Sequence, residues 1–253
     1  YRLDPPFTVR EDWKRLKNLI DQYKPEGKNM PIICGEWGYS DIETPGEGLA
    51  GNPRRTKNLL SVTDPLKMAA YWSKPLMRSM QRDPYGGKSA VRVDPVPMAS
   101  GPGKGVSGLL VNGSLPKGKY VTVSAWLRSE SGELDLRLGL ADGYTQTVRV
   151  GNQWRRYSLT FPVKRTLQRQ FQVFSTGMQD GAWLISNPMV EVTNPRQAEA
   201  AMREAHGRAM ADILIENRRA GIGLTVLYSW QDLNDDAANR ESHFGLYDAK
   251  GYP

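Results

Sequence analysis

The sequence predicts an α/β unit built from both ends of the chain and an all-β sandwich between them: α/β plus all-β in fold class. Three observations predict it. Helix-period segments and short apolar runs alternate near each end of the sequence. From about Asn58 to Thr193 the chain instead alternates apolar and polar residues with period two, and Gly, Pro, Asn or Asp punctuate that stretch every ten residues or so.

Thr8 to Glu11 has capping-box spacing, and Val9, Trp13, Leu16, Leu19, Ile20 and Tyr23 follow at helical intervals, which predicts a helix over about 9–23. Pro25 to Asn29 is turn chemistry, and the apolar run Met30 to Cys34 ends at Gly35-Glu36. This predicts a buried strand whose carboxyl end presents a glutamate. Farther along, Asn194 and Pro195 supply a helix cap and first position, an alanine-rich stretch runs from Arg196 to Arg219, and Gly221 closes it. A second apolar run, Gly223 to Tyr228, leads into the polar segment from Ser229 to Glu241. Helix, strand, helix and strand with near-continuous apolar strands is the pattern of a parallel sheet buried on both faces.

In the middle segment Val121, Val123, Ala125 and Leu127 alternate with Thr122, Ser124 and Trp126, and Leu134, Leu136, Leu138 and Leu140 line one side of the next strand. Residues 157–161 and 171–174 supply further strands. Two packed sheets are the economical way to bury one face of each.

Composition narrows the function classes. No apolar run approaches the eighteen or so residues of a membrane span. Cys34 is the only cysteine, so no internal disulfide forms, and His206 and His243 are too far apart in sequence to suggest a zinc ligand set. Asp232, Asn234, Asp235 and Asp236 lack the spacing and closing glutamate of a calcium loop. The sequence therefore implies no metal and no cofactor. Net charge is +7, and residues 58–193 hold 17 Lys/Arg against 9 Asp/Glu while the remainder holds 17 against 18. That surplus reads either as a solvated basic face or as attraction to an anionic polymer. No nucleic-acid-binding motif accompanies it.

The carboxyl ends of parallel strands are the rim on which (β/α)8 enzymes assemble their sites, and Glu36 has that address. Its neighbours Trp37 and Tyr39 bring aromatic faces of the kind that stack on sugar rings. Tyr228, Trp230, Asp232, Asn234, Asp235 and Glu241 crowd the end of the second strand. Glu36 is read as catalytic, with an ordinary rim carboxylate tied to an arginine as the alternative. Trp230 is read as site wall or as core.

Pro31 to Ser40 (PIICGEWGYS), Leu227 to Asp232 (LYSWQD) and Glu241 to Asp248 (ESHFGLYD) together resemble the seventh- and eighth-strand motifs of clan A retaining glycoside hydrolases. The family 39-like branch, which includes enzymes trimming exopolysaccharides, is the nearest. The resemblance covers residues 1–57 and 194–253. It implies the C-terminal part of a (β/α)8 TIM barrel, with the end of strand six at Tyr1 and Arg2, and with the sandwich inserted at 58–193. It also implies Glu36 as nucleophile and Trp37, Tyr39, Tyr1, Arg2, Trp230, Asp232, Glu241 and His243 around the sugar. In that family Glu241 would organise a loop.

Retaining hydrolysis takes two carboxyl groups about 5 Å apart. The family carries its acid/base glutamate after an asparagine on strand four, and the chain has no Asn-Glu pair. The acid/base, and the remaining barrel half as another segment or chain, are therefore expected from outside these residues, and this chain alone is expected to be inactive. The insert resembles carbohydrate-binding modules of the family 4/9 type, a β-sandwich (jelly roll), through Asn58-Leu-Leu, Trp72-Ser-Lys, Gln153 to Phe161 (QWRRYSLTF) and Asn187 to Glu191 (NPMVE). Trp72 and Trp154 read as core. Trp126 and Tyr144 are candidates for a glycan platform, with a solvated face as the alternative. The implied partner is a polysaccharide, neutral or anionic, and the implied location is secreted, periplasmic or cell-surface. A noncatalytic glycan-binding or matrix protein is the rival reading.

Overall fold

The computed structural model describes residues 6–23, 32–37, 49, 57–65, 69–71, 77–82, 89–94, 105–115, 117–140, 144–163, 167–175 and 181–227. In chain order the elements are α1 (Pro6–Tyr23), β1 (Ile32–Trp37), β2 (Ala69–Tyr71), β3 (Met77–Arg82), β4 (Ser89–Val93), β5 (Gly105–Leu115) and β6 (Tyr120–Ser129). They continue with β7 (Leu134–Leu140), β8 (Tyr144–Val150), β9 (Arg155–Pro162), β10 (Leu167–Ser175), β11 (Trp183–Thr193), α2 (Pro195–Arg219) and β12 (Ile222–Leu227). The chain forms two compact units, residues 1–45 with 202–253 and residues 46–201. The second is wider than the 58–193 segment read from sequence texture. The first turns of α2 belong to it, and the Tyr120 hydroxyl in β6 donates to Glu199 in α2 at 3.0 Å.

In the first unit, α1 begins at Pro6 rather than Val9, so Thr8 lies inside the helix instead of capping it. Proline's fixed φ and missing N–H suit an opening turn, and here they outweigh the capping-box spacing. α2 starts as its sequence dictates. Asn194 Oδ1 accepts from Arg196 N at 3.0 Å, and its carbonyl accepts from Ala198 N at 3.0 Å. Gly221, at φ 80°, takes the left-handed conformation that ends the helix. β1 and β12 then pair in parallel, with Ile33 opposite Leu224, Cys34 opposite Thr225 and Trp37 opposite Leu227. Among the described residues this parallel sheet has two strands, so a closed barrel stays an expectation. One buried amide ties the layers together: Trp13 Nε1 in α1 donates to Asn217 Oδ1 in α2 at 2.7 Å, and Asn217 Nδ2 donates to Thr225 Oγ1 in β12 at 3.0 Å.

The second unit is a two-sheet sandwich. One sheet runs β2-β5-β10-β7-β8 and the other β3-β4-β11-β6-β9, every neighbouring pair antiparallel. Period-two alternation builds the layer between them. Val121, Val123, Ala125 and Leu127 of β6 and Ile185 of β11 face Leu136, Leu138 and Leu140 of β7 and Phe171 and Val173 of β10 in one fully buried cluster. Each of these side chains larger than alanine contributes roughly 1.5–3 kcal/mol by leaving water. The largest buried member is Trp183, which opens β11 at 1% exposure, whereas sequence alone points to Trp72 and Trp154 as core tryptophans. Trp154 is half-buried, and Trp72 lies outside the described residues.

The two ends of the sandwich segment are clasped by Asn58. Its Oδ1 accepts from Leu60 N (3.1 Å) and Val190 N (3.0 Å), its Nδ2 donates to the Pro188 carbonyl (2.9 Å), and Leu59 N donates to the Val190 carbonyl (2.7 Å). β11 bulges at this point, where the register shifts between Ser186 and Met189 and Asn187 sits at φ 45°. Asn58→Ala leaves one carbonyl and two amides without partners. It is expected to lower the unfolding free energy by roughly 1–3 kcal/mol in urea denaturation, with the m-value unchanged.

Candidate functional site

Two places in the fold are candidates for meeting a ligand. The first is the strand-end rim of the α/β unit. Parallel pairing sets the carboxyl ends of β1 and β12 side by side, Trp37 against Leu227, with Glu36 one residue before Trp37. The backbones of Glu36 and Trp37 are part of β1; their side chains lie outside the description. Tyr1, Arg2, Tyr39, Trp230, Asp232, Glu241 and His243 lie outside the described residues altogether. His206, read from sequence as structural, is 5% exposed within α2.

Packing of this rim's second strand depends on Asn217. At 1% exposure it has no water to fall back on, and its two hydrogen bonds join α1 to β12 beside the Cys34–Thr225 pair. Leu224, by contrast, is 53% exposed on β12, as are Leu19 at 53% and Tyr23 at 83% on α1.

The second place is the outward face of the β2-β5-β10-β7-β8 sheet. Since Phe171 and Val173 point into the core, Gln170, Gln172 and Phe174 of β10 point out. By the same alternation β7 sends Asp135, Arg137 and Gly139 outward, and β8 sends Thr145, Thr147 and Arg149. Backbone register arranges them in cross-strand rows. Gln172, Gly139 and Thr145 make one row, Phe174, Arg137 and Thr147 the next, and Asp135 with Arg149 a third. Arg149 is held by Asp135 through two bonds, Nε to Oδ1 at 2.9 Å and Nη2 to Oδ2 at 3.2 Å, with Glu133 3.9 Å away. Gln170 and Arg149 are exposed, and Arg137, Thr145, Thr147 and Phe174 are half-buried. An aromatic ring beside amides and hydroxyls on a sheet face can stack on an apolar ring face while exchanging hydrogen bonds with hydroxyls.

Sequence reasoning did not single out Gln172 or Phe174. Its platform candidates sit elsewhere. Trp126 is half-buried on the outward face of the opposite sheet, in a row with Ser186 and Arg156. Its surroundings are closed: Ser124 and Ser186 are fully buried and Met189 is 1% exposed. Arg156 is committed there to the Asn187 carbonyl (2.9 Å) and Ser124 Oγ (2.8 Å). Farther along this face, buried hydroxyls bond to one another, Thr122 to Thr160 at 2.7 Å and Thr122 to Thr193 at 2.6 Å. Tyr144 opens β8 opposite Leu140, and its side chain lies outside the description.

No protein-family model matches the chain, and no curated protein matches it closely. Some solved structures are similar to it in part, at low identity. The CBM22-1-GH10 modules of the Clostridium thermocellum endo-1,4-β-D-xylanase 10B, complexed with xylohexaose, are similar at 10% identity and TM-score 0.40, over 54% of this chain and 29% of that one. The CBM22-1 xylan-binding domain of Paenibacillus barcinonensis Xyn10C is similar at 14% identity and TM-score 0.39, over 62% of this chain and 97% of that one. An arabinose-bound MgGH51 α-L-arabinofuranosidase is similar at 14% identity and TM-score 0.42, over 72% of this chain and 33% of that one. The chain thus spans about a third of the two enzyme structures.

Asn217→Ala removes both links between α1 and β12. It is expected to cost roughly 1–3 kcal/mol in denaturant unfolding, and to accelerate hydrogen exchange in β12 while leaving the sandwich strands protected.

Proposed function

We propose that the chain is the C-terminal part of a retaining glycoside hydrolase acting on an exopolysaccharide-type polymer, carrying a glycan-binding sandwich as an insert. The observation that carries the reading is the parallel pairing of β1 with β12, whose carboxyl ends lie together with Glu36 one residue from the end of β1. Strand ends of this kind are where parallel α/β enzymes hold catalytic carboxylates. Glu36 attacks the anomeric carbon to form a glycosyl-enzyme intermediate. A second carboxyl group, supplied by a barrel portion outside this chain, protonates the departing oxygen and then activates water. Trp37, Tyr39, Tyr1, Arg2, Trp230, Asp232, Glu241 and His243 surround the sugar in this reading.

Among the described residues the parallel sheet has two strands, with Leu224 half exposed, and so small a sheet is not stable on its own faces, which supports the addition of further strands. Barrel segments at 1–57 and 194–253 with an insert at 58–193 complete the proposed architecture. The site of action is extracellular, periplasmic or cell-surface. Among the described residues no helix is long and apolar enough to cross a membrane.

The second reading is a glycan-binding protein without hydrolytic activity. The outward face bearing Gln172, Phe174 and Arg137 favours it, because that face needs no second carboxyl to function. Reducing-end release by the full-length gene product separates the two. The enzyme reading expects Glu36→Gln to lower the rate by at least about a thousandfold, while binding of the polymer persists. Binding by the full-length wild type with no release of reducing ends favours the second reading.

A further inference from the structure

Resting on the proposal that the sandwich binds glycan, we infer that it holds a carboxylate-bearing polysaccharide through Arg128, on the outward face of the β3-β4-β11-β6-β9 sheet. Arg128 is half-buried, and its Nε is enclosed with no hydrogen-bond partner among the described residues. A guanidinium keeps its proton under all ordinary conditions, so an enclosed edge without an acceptor leaves a partly dry cation uncompensated. The two Nη groups at the end of the side chain form a planar fork, which the two oxygens of a carboxylate match.

Alternation along β6 puts Arg128 on the same side of the sheet as Trp126, about 7 Å along the strand. Trp126 stands opposite Arg156, and the register, carried one step past the Leu127–Arg155 pair, sets Trp154 level with Arg128. Both tryptophans are half-buried. Trp126 is closed on its β11 side by the fully buried Ser186, so it serves as a wall beside Arg128 and not as an open platform. Arg156 is spent on the Asn187 carbonyl and Ser124 Oγ. Two indoles next to one uncommitted guanidinium edge suit a ligand that is both a ring and an anion, since indole faces stack on apolar sugar faces and keep water from the cation.

Charge along the same row decides the class of ligand. Leu184 of β11 lies between Arg128 and Arg92, and Arg78 of β3 holds the register position beyond Arg92. The strands β3, β4, β6 and β9 contain no acidic residue, and the one acid of β11, Glu191, pairs with Thr122 at the far end of β6 from Arg128. Two further acids lie just past strand ends. Asp94 pairs with Arg92, and Glu130, two residues beyond Arg128, accepts from Arg92 Nε at 2.6 Å. Both acids are therefore engaged by Arg92, while Arg128 Nε stays unmatched. A polymer lying across the strands passes these positions at intervals of about 4.8 Å, the spacing of neighbouring strands. Repeated carboxylates on the polymer fit this row, whereas a neutral chain leaves the arginine uncompensated.

Calorimetric titration of the full chain with alginate, soluble xylan and hydroxyethyl cellulose, in about 0.15 M salt to screen unspecific attraction, tests this. Alginate is expected to bind, and Arg128→Gln to raise its Kd about tenfold. Arg155→Gln removes the same charge from an exposed neighbour and is expected to change that Kd less than about twofold. Equal losses in the two variants overturn the site, because net charge alone then explains the attraction. Full binding by Arg128→Lys, which keeps the charge and loses the fork, overturns the paired contact. Binding of xylan or hydroxyethyl cellulose without alginate overturns the carboxylate ligand and leaves glycan binding standing. Failure of all three polymers to bind removes the glycan-binding proposal and this inference with it. Binding of oligothymidylate as tight as that of alginate, with the same dependence on Arg128, overturns the polysaccharide class. Should Arg128→Gln not fold, the Arg128 Nε–H resonance of labelled wild type reports instead. It moves on titration with alginate oligomers, and an unmoved resonance overturns the assignment.

Discussion

Strict alternation along β6, β7 and β10 is the constraint on which the rest of the sandwich depends. Each strand gives every second residue to the single apolar layer shared by the two sheets, so the identity of the outward residues is fixed by the inward ones. A slip of one residue in β10 would bring Gln172 into the core and put Phe171 and Val173 in its place outside. Leu136, Leu138 and Leu140 on the facing strand, all fully buried, make such a slip prohibitively unfavourable. The core therefore fixes the composition of the candidate ligand face without any residue of that face contributing to the decision.

This explains what could and could not be read beforehand. The alternation in β6 and β7 is visible in the order of residues alone, and so are the Asn194 cap and Gly221 stop of α2. Pairing is another matter. Gln172 meets Gly139 only because β10 lies beside β7, a neighbour relation set by the crossing of loops and carrying no local signal. An isolated glutamine in a strand looks like any solvated residue; its burial emerges only once the sheet is assembled. Trp126 drew attention by opposing an apolar row, but its side of the sheet is filled with buried hydroxyls and an arginine spent on the β11 bulge. Thr8 failed as a cap for a simpler reason: Pro6 had already begun the helix.

Charge counted along the sequence says less about any one face than the pairing of its side chains does. Seventeen basic residues against nine acidic ones in 58–193 suggests a cationic surface. Arg92, however, pairs with Asp94 and with Glu130 at 2.6 Å, Arg149 with Asp135, and Arg156 with a carbonyl and a hydroxyl of the scaffold. An arginine engaged this way orders loops and strand ends and offers little to an incoming anion, since a ligand would have to displace a partner already in place. Local pairing outweighs net charge when the question is what a particular face can hold.

The α/β unit poses the opposite problem, because its chemistry is more legible than its packing. Glu36 at the end of a parallel strand follows from the sequence of β1, and its neighbour β12, nearly two hundred residues later, has the same apolar character. Parallel strands are stable when covered on both faces and paired on both edges. Here Leu224, Leu19 and Tyr23 remain at least half exposed, while Asn217, Trp13 and Thr225 form a closed hydrogen-bonded link between helices and strand. The link is finished and the apolar surface is not. The two parallel strands among the described residues cannot by themselves supply the second carboxyl of a retaining mechanism or the walls of a sugar cleft, so the proposed catalysis requires additional strands at the same rim. The sandwich face carries no such requirement, and glycan binding there can stand whether or not Glu36 acts as a nucleophile.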